Sequence, residues 1–257
     1  MSSPDTIPAA SNHNRFLSTV TLFVVALALF AIAAATPPVL AWLGIVDLDA
    51  IAPWLPHFVV KILMIAMAWI AVTITGKGTA DGLGLRGATP PVHWLRTTLI
   101  GFALGAGAST VVMLTPAAGM QSLFAGWSFP AIALSIWIYS SVSEELFVRG
   151  WFQRAVEGAA IGSRGLFGGR VSIPVATSAA LFGAIHLSLL TKGIDIATTA
   201  IIVVATTALG LVAATLRERH RGLLPSIVVH VCFNLGGVAA GIVITIIRHV
   251  VASGGAH

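Results

Sequence analysis

FPAIALSIWIYSSVSEELFVRGWFQR, residues 129–154, is the stretch whose reading decides the fold. It runs apolar from Phe129 to Tyr139, passes through serines, and then places two adjacent acids, Glu144 and Glu145, in continuing apolar surroundings. An ionisable side chain inside a hydrocarbon layer is expensive and marks function. Four residues separate Glu145 from Arg149, so on a helix they share a face and can pair. Glu144 is turned about 100° away and is left for chemistry. A plainer reading is open on this stretch alone, in which both acids sit at the interface end of a membrane helix.

The whole chain has the same character. Hydrophobic residues make up 57% of the 257 and charged residues 9%, with a mean hydropathy of +0.96. Such a composition indicates an all-α, polytopic integral membrane protein and excludes an ordinary soluble domain. The apolar runs are continuous and lack the alternation of barrel strands. The formal charge of +5 does not point to nucleic acid, because the basic residues flank apolar runs instead of forming a patch. The lipid bilayer is the expected partner. A single cysteine, Cys232, excludes an intrachain disulfide and a multi-cysteine zinc site.

Outward from the central stretch, the expected spans are Phe16–Ala35, His57–Thr75, Trp94–Leu114, the helix from Phe129 through the acids, a fifth within Pro174–Thr191, Ile196–Leu216 and Leu223–Ile247. Residues 1–15 read as a cytoplasmic tail and 16–250 as the membrane domain. Thr36-Pro37-Pro38 ends or kinks the first span, and the stretch to Pro53 is the place for a re-entrant segment or an eighth span. Lys61 reads as a lysine snorkelling to the headgroups. Gly101/Gly105 and Gly237/Gly241 are GxxxG helix-packing pairs. The Gly- and Arg-rich connection 158–170 lacks the GKS or GKT of a phosphate loop.

Alternate connections differ in charge. Arg15, Lys77, Arg86, Arg96, Arg149, Arg154, Arg164, Arg170, Arg217, Arg219 and Arg221 fall on one side; Lys61, Lys192 and Arg248 fall on the other. The bias puts the N-terminus in the cytoplasm and the C-terminus outside, as in a multi-pass protein of the cell membrane.

Three later polar residues join Glu144. His186 follows Phe182 by four, and Asn234 follows His230 by four, so each pair shares a helix face. Singly, such residues are packing or interhelix hydrogen-bond groups; together they point to one polar site. A carboxylate beside a neutral imidazole suits the activation of water. A second imidazole and a carboxamide suit hydrogen bonds to a developing oxyanion. Glu144, His186 and His230 are also a possible set for one zinc ion, although no HExxH is present, so the cofactor is either none or one Zn2+. Cys232 as a nucleophile is less favoured than Cys232 as a buried thiol. A proton relay of a transporter would suit the same groups, but no internal repeat supports it.

Glu144-Glu145-x-x-x-Arg149, Phe182-x-x-x-His186 and His230-x-x-x-Asn234, in that order on successive membrane helices, resemble the motifs of the CPBP family, the CAAX proteases and bacteriocin-processing enzymes (type II CAAX prenyl endopeptidases, or Abi family). The resemblance is strongest over about residues 129–240. It implies an intramembrane endopeptidase, a hydrolase acting on a membrane-associated or prenylated protein or peptide. By that resemblance Glu144 and His186 activate the water, His230 and Asn234 stabilise the oxyanion, and Glu145, Arg149 and Phe182 support the site. The family's metalloprotease label keeps the zinc alternative open. Its members in bacteriocin self-immunity keep open a non-catalytic scaffold.

Depth in the membrane adds a constraint. At 1.5 Å per residue, His186 lies ~18 Å beyond Pro174, while Glu144 lies ~8 Å before Arg149 and His230 ~10 Å beyond Leu223. For the three to meet, the fifth helix must start later than Pro174, protrude into the cytoplasm or tilt.

Overall fold

The structure, a computed structural model, describes residues 12–74, 79–85, 91–115, 125–159 and 171–254. Among them are seven helices long and apolar enough to cross a membrane: α1 (Phe16–Trp42), α2 (Leu55–Ile74), α3 (Trp94–Leu114), α4 (Phe129–Ala159), α5 (Ile173–Lys192), α6 (Ile196–His220) and α7 (Leu224–Ser253). The fold is an all-α polytopic bundle. Leu43–Trp54 forms turns, with no eighth span there.

Several boundaries differ from those expected. The first helix begins at Asn12, so only residues 1–11 of the expected tail lie outside the described residues. It carries Pro37 and Pro38 inside it and continues to Trp42. The two prolines withhold two helix hydrogen bonds, and neighbouring packing in a membrane bundle tolerates that loss. Polar caps start three helices. Ser128 Oγ accepts from Ala131 N, Ser172 Oγ from Val175 N, and Asp195 Oδ1 from Thr198 N.

The fourth helix departs most from the reading. It does not stop near Arg149 but continues to Ala159, and two of its stretches, Ala133–Ser140 and Leu146–Gln153, are wound as wider π-helix. Only the short α-helical segment Ser141–Glu145 lies between them. Such widening is rare and clusters at functional sites. The fifth helix starts at Ile173, not later. The extra length of α4 instead brings the depths of Glu144 and His186 together. Glu144 is ~22 Å from the Ala159 end and His186 ~20 Å from Ile173 on the α-helical rise.

Packing fixes the frame around these residues. α3 lies along α7, and α5 along α6. A Cβ on Gly105 would sit 1.8 Å from the Phe233 carbonyl oxygen, and one on Gly101 2.3 Å from that of Val229. The matching glycine on α7 is Gly236, whose Cβ would lie 2.1 Å from the Phe102 oxygen. Gly237 and Gly241 have only ordinary contacts. The apolar core gathers on the second half of α4: Phe147, Val148, Phe152 and Val156 are fully buried with Met64, Leu181, Phe182 and Leu209.

Candidate active site

Glu144 lines a cavity of about 580 Å³ together with His57 and Lys61 of α2, Ser140 of α4, and His186 and Lys192 of α5. Proline and aliphatic side chains complete the walls. Glu144 is buried, while Pro38, Pro53 and Lys192 of the same lining are exposed and form the rim. Glu144 and His186 therefore share one space that water can enter.

The short segment between the two π stretches sends the adjacent acids in different directions. Glu144 Oε1 accepts a hydrogen bond from Ser140 Oγ at 2.8 Å and pairs with Lys61 Nζ. Lys61 is 6% exposed. It does not snorkel to the headgroups, and Glu144 is not the unpaired acid that the spacing suggested. The reason is energetic: a buried carboxylate needs a counter-charge and hydrogen bonds, and the start of α2 lies beside α4. Glu144 Oε2 has no hydrogen bond among the described residues and lies 3.7 Å from His230 Nε2.

Glu145 points into the core. Its Oε1 accepts from Arg149 Nη1 at 3.0 Å and from His230 Nδ1 at 2.9 Å. Arg149, which the charge count assigned to a cytoplasmic connection, is fully buried. Its Nη2 donates to the Gly210 carbonyl at 3.3 Å, and its guanidinium lies over the Phe182 ring, 4.3 Å from the centroid. Phe182 also meets both histidines edge to face, at 5.1 Å from His186 and 5.3 Å from His230.

The hydrogen bonds assign the ring nitrogens. A carbonyl oxygen only accepts, so the 2.7 Å contact of His186 Nδ1 with the Phe182 carbonyl puts a proton on Nδ1. In the neutral ring Nε2 is then the basic nitrogen. The same logic puts a proton on His230 Nδ1, which faces the Glu145 carboxylate.

Asn234 is held differently. Its Nδ2 donates to Ser141 Oγ at 3.0 Å and to the Ile136 carbonyl at 3.3 Å, which ties α7 to α4 beside the Glu144 segment. Cys232 is half-buried against Gly101 of α3 and is not among the residues that line the cavity with His186. His57, the first residue of the expected second span, lines the cavity; its Nε2 is buried without a hydrogen-bond partner among the described residues, and its ring meets Trp127. Lys61, Ser140 and His57 are the site residues that sequence reasoning passed over. Ser140 had a local signal, since it precedes Glu144 by four.

As arranged, the residues do not fit a zinc ion. Among the described residues no three His, Cys, Asp or Glu side chains form a metal-holding group. The Lys61 ammonium also occupies the place beside Glu144 that a cation would take.

Residues 126–236 match the family model described as Type II CAAX prenyl endopeptidase Rce1-like. Glu144, Glu145, Arg149, Phe182, His186, His230 and Asn234 all fall inside that range; His57 and Lys61 fall before it. No curated protein and no solved structure matches the chain.

Proposed function

From the match of residues 126–236 to the Rce1-like family of type II CAAX prenyl endopeptidases, we propose that the chain belongs to that family and is an intramembrane endopeptidase whose attacking water is activated by Glu144 and His186. One observation carries the reading. Glu144 and His186 line the same cavity, the first with Oε2 free of hydrogen bonds and the second with Nε2 as its basic nitrogen.

A water between these two atoms gives up a proton to them as its oxygen attacks the scissile carbonyl carbon. The carbonyl oxygen becomes an oxyanion, which Asn234 stabilises as a hydrogen-bond donor together with His230, whose Nε2 donates once the ring carries a second proton beside the Nδ1–H held by Glu145. Asn234 does so by exchanging one of its two bonds to α4. The proton then passes to the leaving amine nitrogen as the C–N bond breaks. Glu145 orients His230 through Nδ1, and Arg149 holds Glu145. Phe182 spaces the two imidazoles. The substrate is a peptide segment associated with the membrane.

The test is cleavage of a panel of membrane-presented peptides, prenylated CAAX peptides included, by detergent-purified protein. Glu144→Gln is expected to lower the rate by about 10²–10⁴-fold, the usual contribution of a positioned acid–base group. Its elution on size exclusion should stay that of the folded protein. Wild-type cleavage by Glu144→Gln would refute the mechanism.

A further inference from the structure

The exposed rim of the cavity, by its place in the bundle, says which side of the membrane it serves. Its rim is built from the end of α1 (Pro38), the start of α2 with Pro53 before it, Trp127 before α4, and Lys192 at the end of α5. Those four helix ends lie on one face of the bundle. The opposite face is equally well defined. Arg96 at the start of α3 and Arg219 at the end of α6 line one pocket with His93 and His220. Arg154 Nη1 donates to the Asp81 carbonyl, and Leu223 N donates to the Gly84 carbonyl at 2.8 Å.

Charge separates the two faces. Of the 14 Lys and Arg residues, Lys61, Arg149 and Arg217 are buried, the last near the end of α6 away from the mouth. Only Lys192 and Arg248 belong to the face of the mouth, where Asp47, Asp49 and Asp195 also lie. Every other Lys and Arg belongs to helix ends or connections of the opposite face. Basic residues in short connections are retained in the cytoplasm, so the mouth faces away from it. Access from the cytoplasmic face is closed as well, because Phe147, Trp151 and Phe152 pack between Glu144 and that face and are buried.

We propose that the cavity opens on the extracytoplasmic side and that its substrates are apolar segments of exported polypeptides, which reach Glu144 from outside. The substrate class rests on the peptidase reading given above; the sidedness does not. A lipid-modified C-terminus held at the cytoplasmic leaflet meets the closed, arginine-rich face. The walls suit an apolar chain, since most of the lining is proline, aliphatic and aromatic.

Two measurements separate the claims. In a Cys232→Ser background, Asp49→Cys and His93→Cys place single thiols at exposed positions on the two faces. A membrane-impermeant maleimide applied to intact cells is expected to label Asp49→Cys, and to label His93→Cys only after lysis. The reverse pattern overturns the proposal. Sealed vesicles of the wild-type protein are then given an impermeant, internally quenched library of apolar peptides. Right-side-out vesicles are expected to cleave at least tenfold faster than inside-out vesicles. Faster cleavage by inside-out vesicles overturns the proposed substrate class. Cleavage by neither, with the expected labelling, overturns the peptidase reading and the substrate class with it, while the sidedness stands on the labelling.

Discussion

At Glu144 a buried carboxylate is balanced by Lys61 and Ser140, and the balance can be broken from either end. Removing one member of a buried ion pair leaves an uncompensated charge and costs about 3–5 kcal/mol. Lys61→Met is therefore expected to lower the thermal midpoint in detergent markedly. Lys61→Met combined with Glu144→Gln should recover most of that loss without recovering cleavage; a double variant no more stable than Lys61→Met would show that the pair is not coupled. Phe182 is a second pivot, touching Arg149, His186 and His230. Phe182→Ala should destabilise by about 3–5 kcal/mol and should also slow cleavage in the fraction that remains folded. At this scale the sequence was legible where partners are near neighbours. Glu145 and Arg149 are four apart, and spacing alone brings them together. It was not legible for Lys61, which lies 83 residues from Glu144. A lysine near the start of a membrane helix already has a local explanation in snorkelling, so nothing in its surroundings asks for a distant acid.

Among the elements, α3 and α7 form the closest pair, and α7 carries His230 and Asn234. Gly105→Leu puts a side chain where the Phe233 carbonyl stands, and backbone has no rotamer by which to yield. The variant should lose both thermal stability and cleavage, because α7, which carries His230 and Asn234, must retreat from α3. Gly107→Leu, with nothing within 4 Å of the added Cβ, should change neither; equal damage from both would mean that bulk on α3, and not the contact at Gly105, is responsible. The GxxxG pattern announced this contact on α3, yet on α7 it pointed to Gly237 and Gly241 when Gly236 makes the close approach. A repeat of four says which residues align, not which face meets the neighbour. Periodicity was equally blind to the winding of α4, since hydropathy is the same whether a turn closes after four residues or five.

For the whole molecule, the seven spans were readable because an apolar run of about 20 residues specifies its own hydrogen bonds and its own length. Where the spans meet was not, since the cavity is assembled from α1, α2, α4 and α5 and no local pattern records that meeting. The assembled site sets a further expectation. With Lys61 beside Glu144 and no three-ligand group among the described residues, cleavage should persist when the purified protein is dialysed against a strong zinc chelator. Loss of activity that added zinc restores would show that a metal displaces Lys61 in the working enzyme.

The widened winding of α4 also bears on how the chain tolerates change. Each π stretch closes its turns one residue later than an α-helix does, so each holds residues that a plain helix would not need. Deleting Ile138, within the first of them, gives the stretch a way to relax into ordinary α-helix while the span stays long enough to cross. The residues beyond the deletion would then keep their facing, because the residue lost is the one that the wider turn holds in excess, and the Glu144 carboxylate would stay on the cavity wall. A shortened protein of this kind should still insert, fold and cleave, whereas the same one-residue loss inside the plain α-helix of α6 would turn everything beyond it by about 100° and should be damaging.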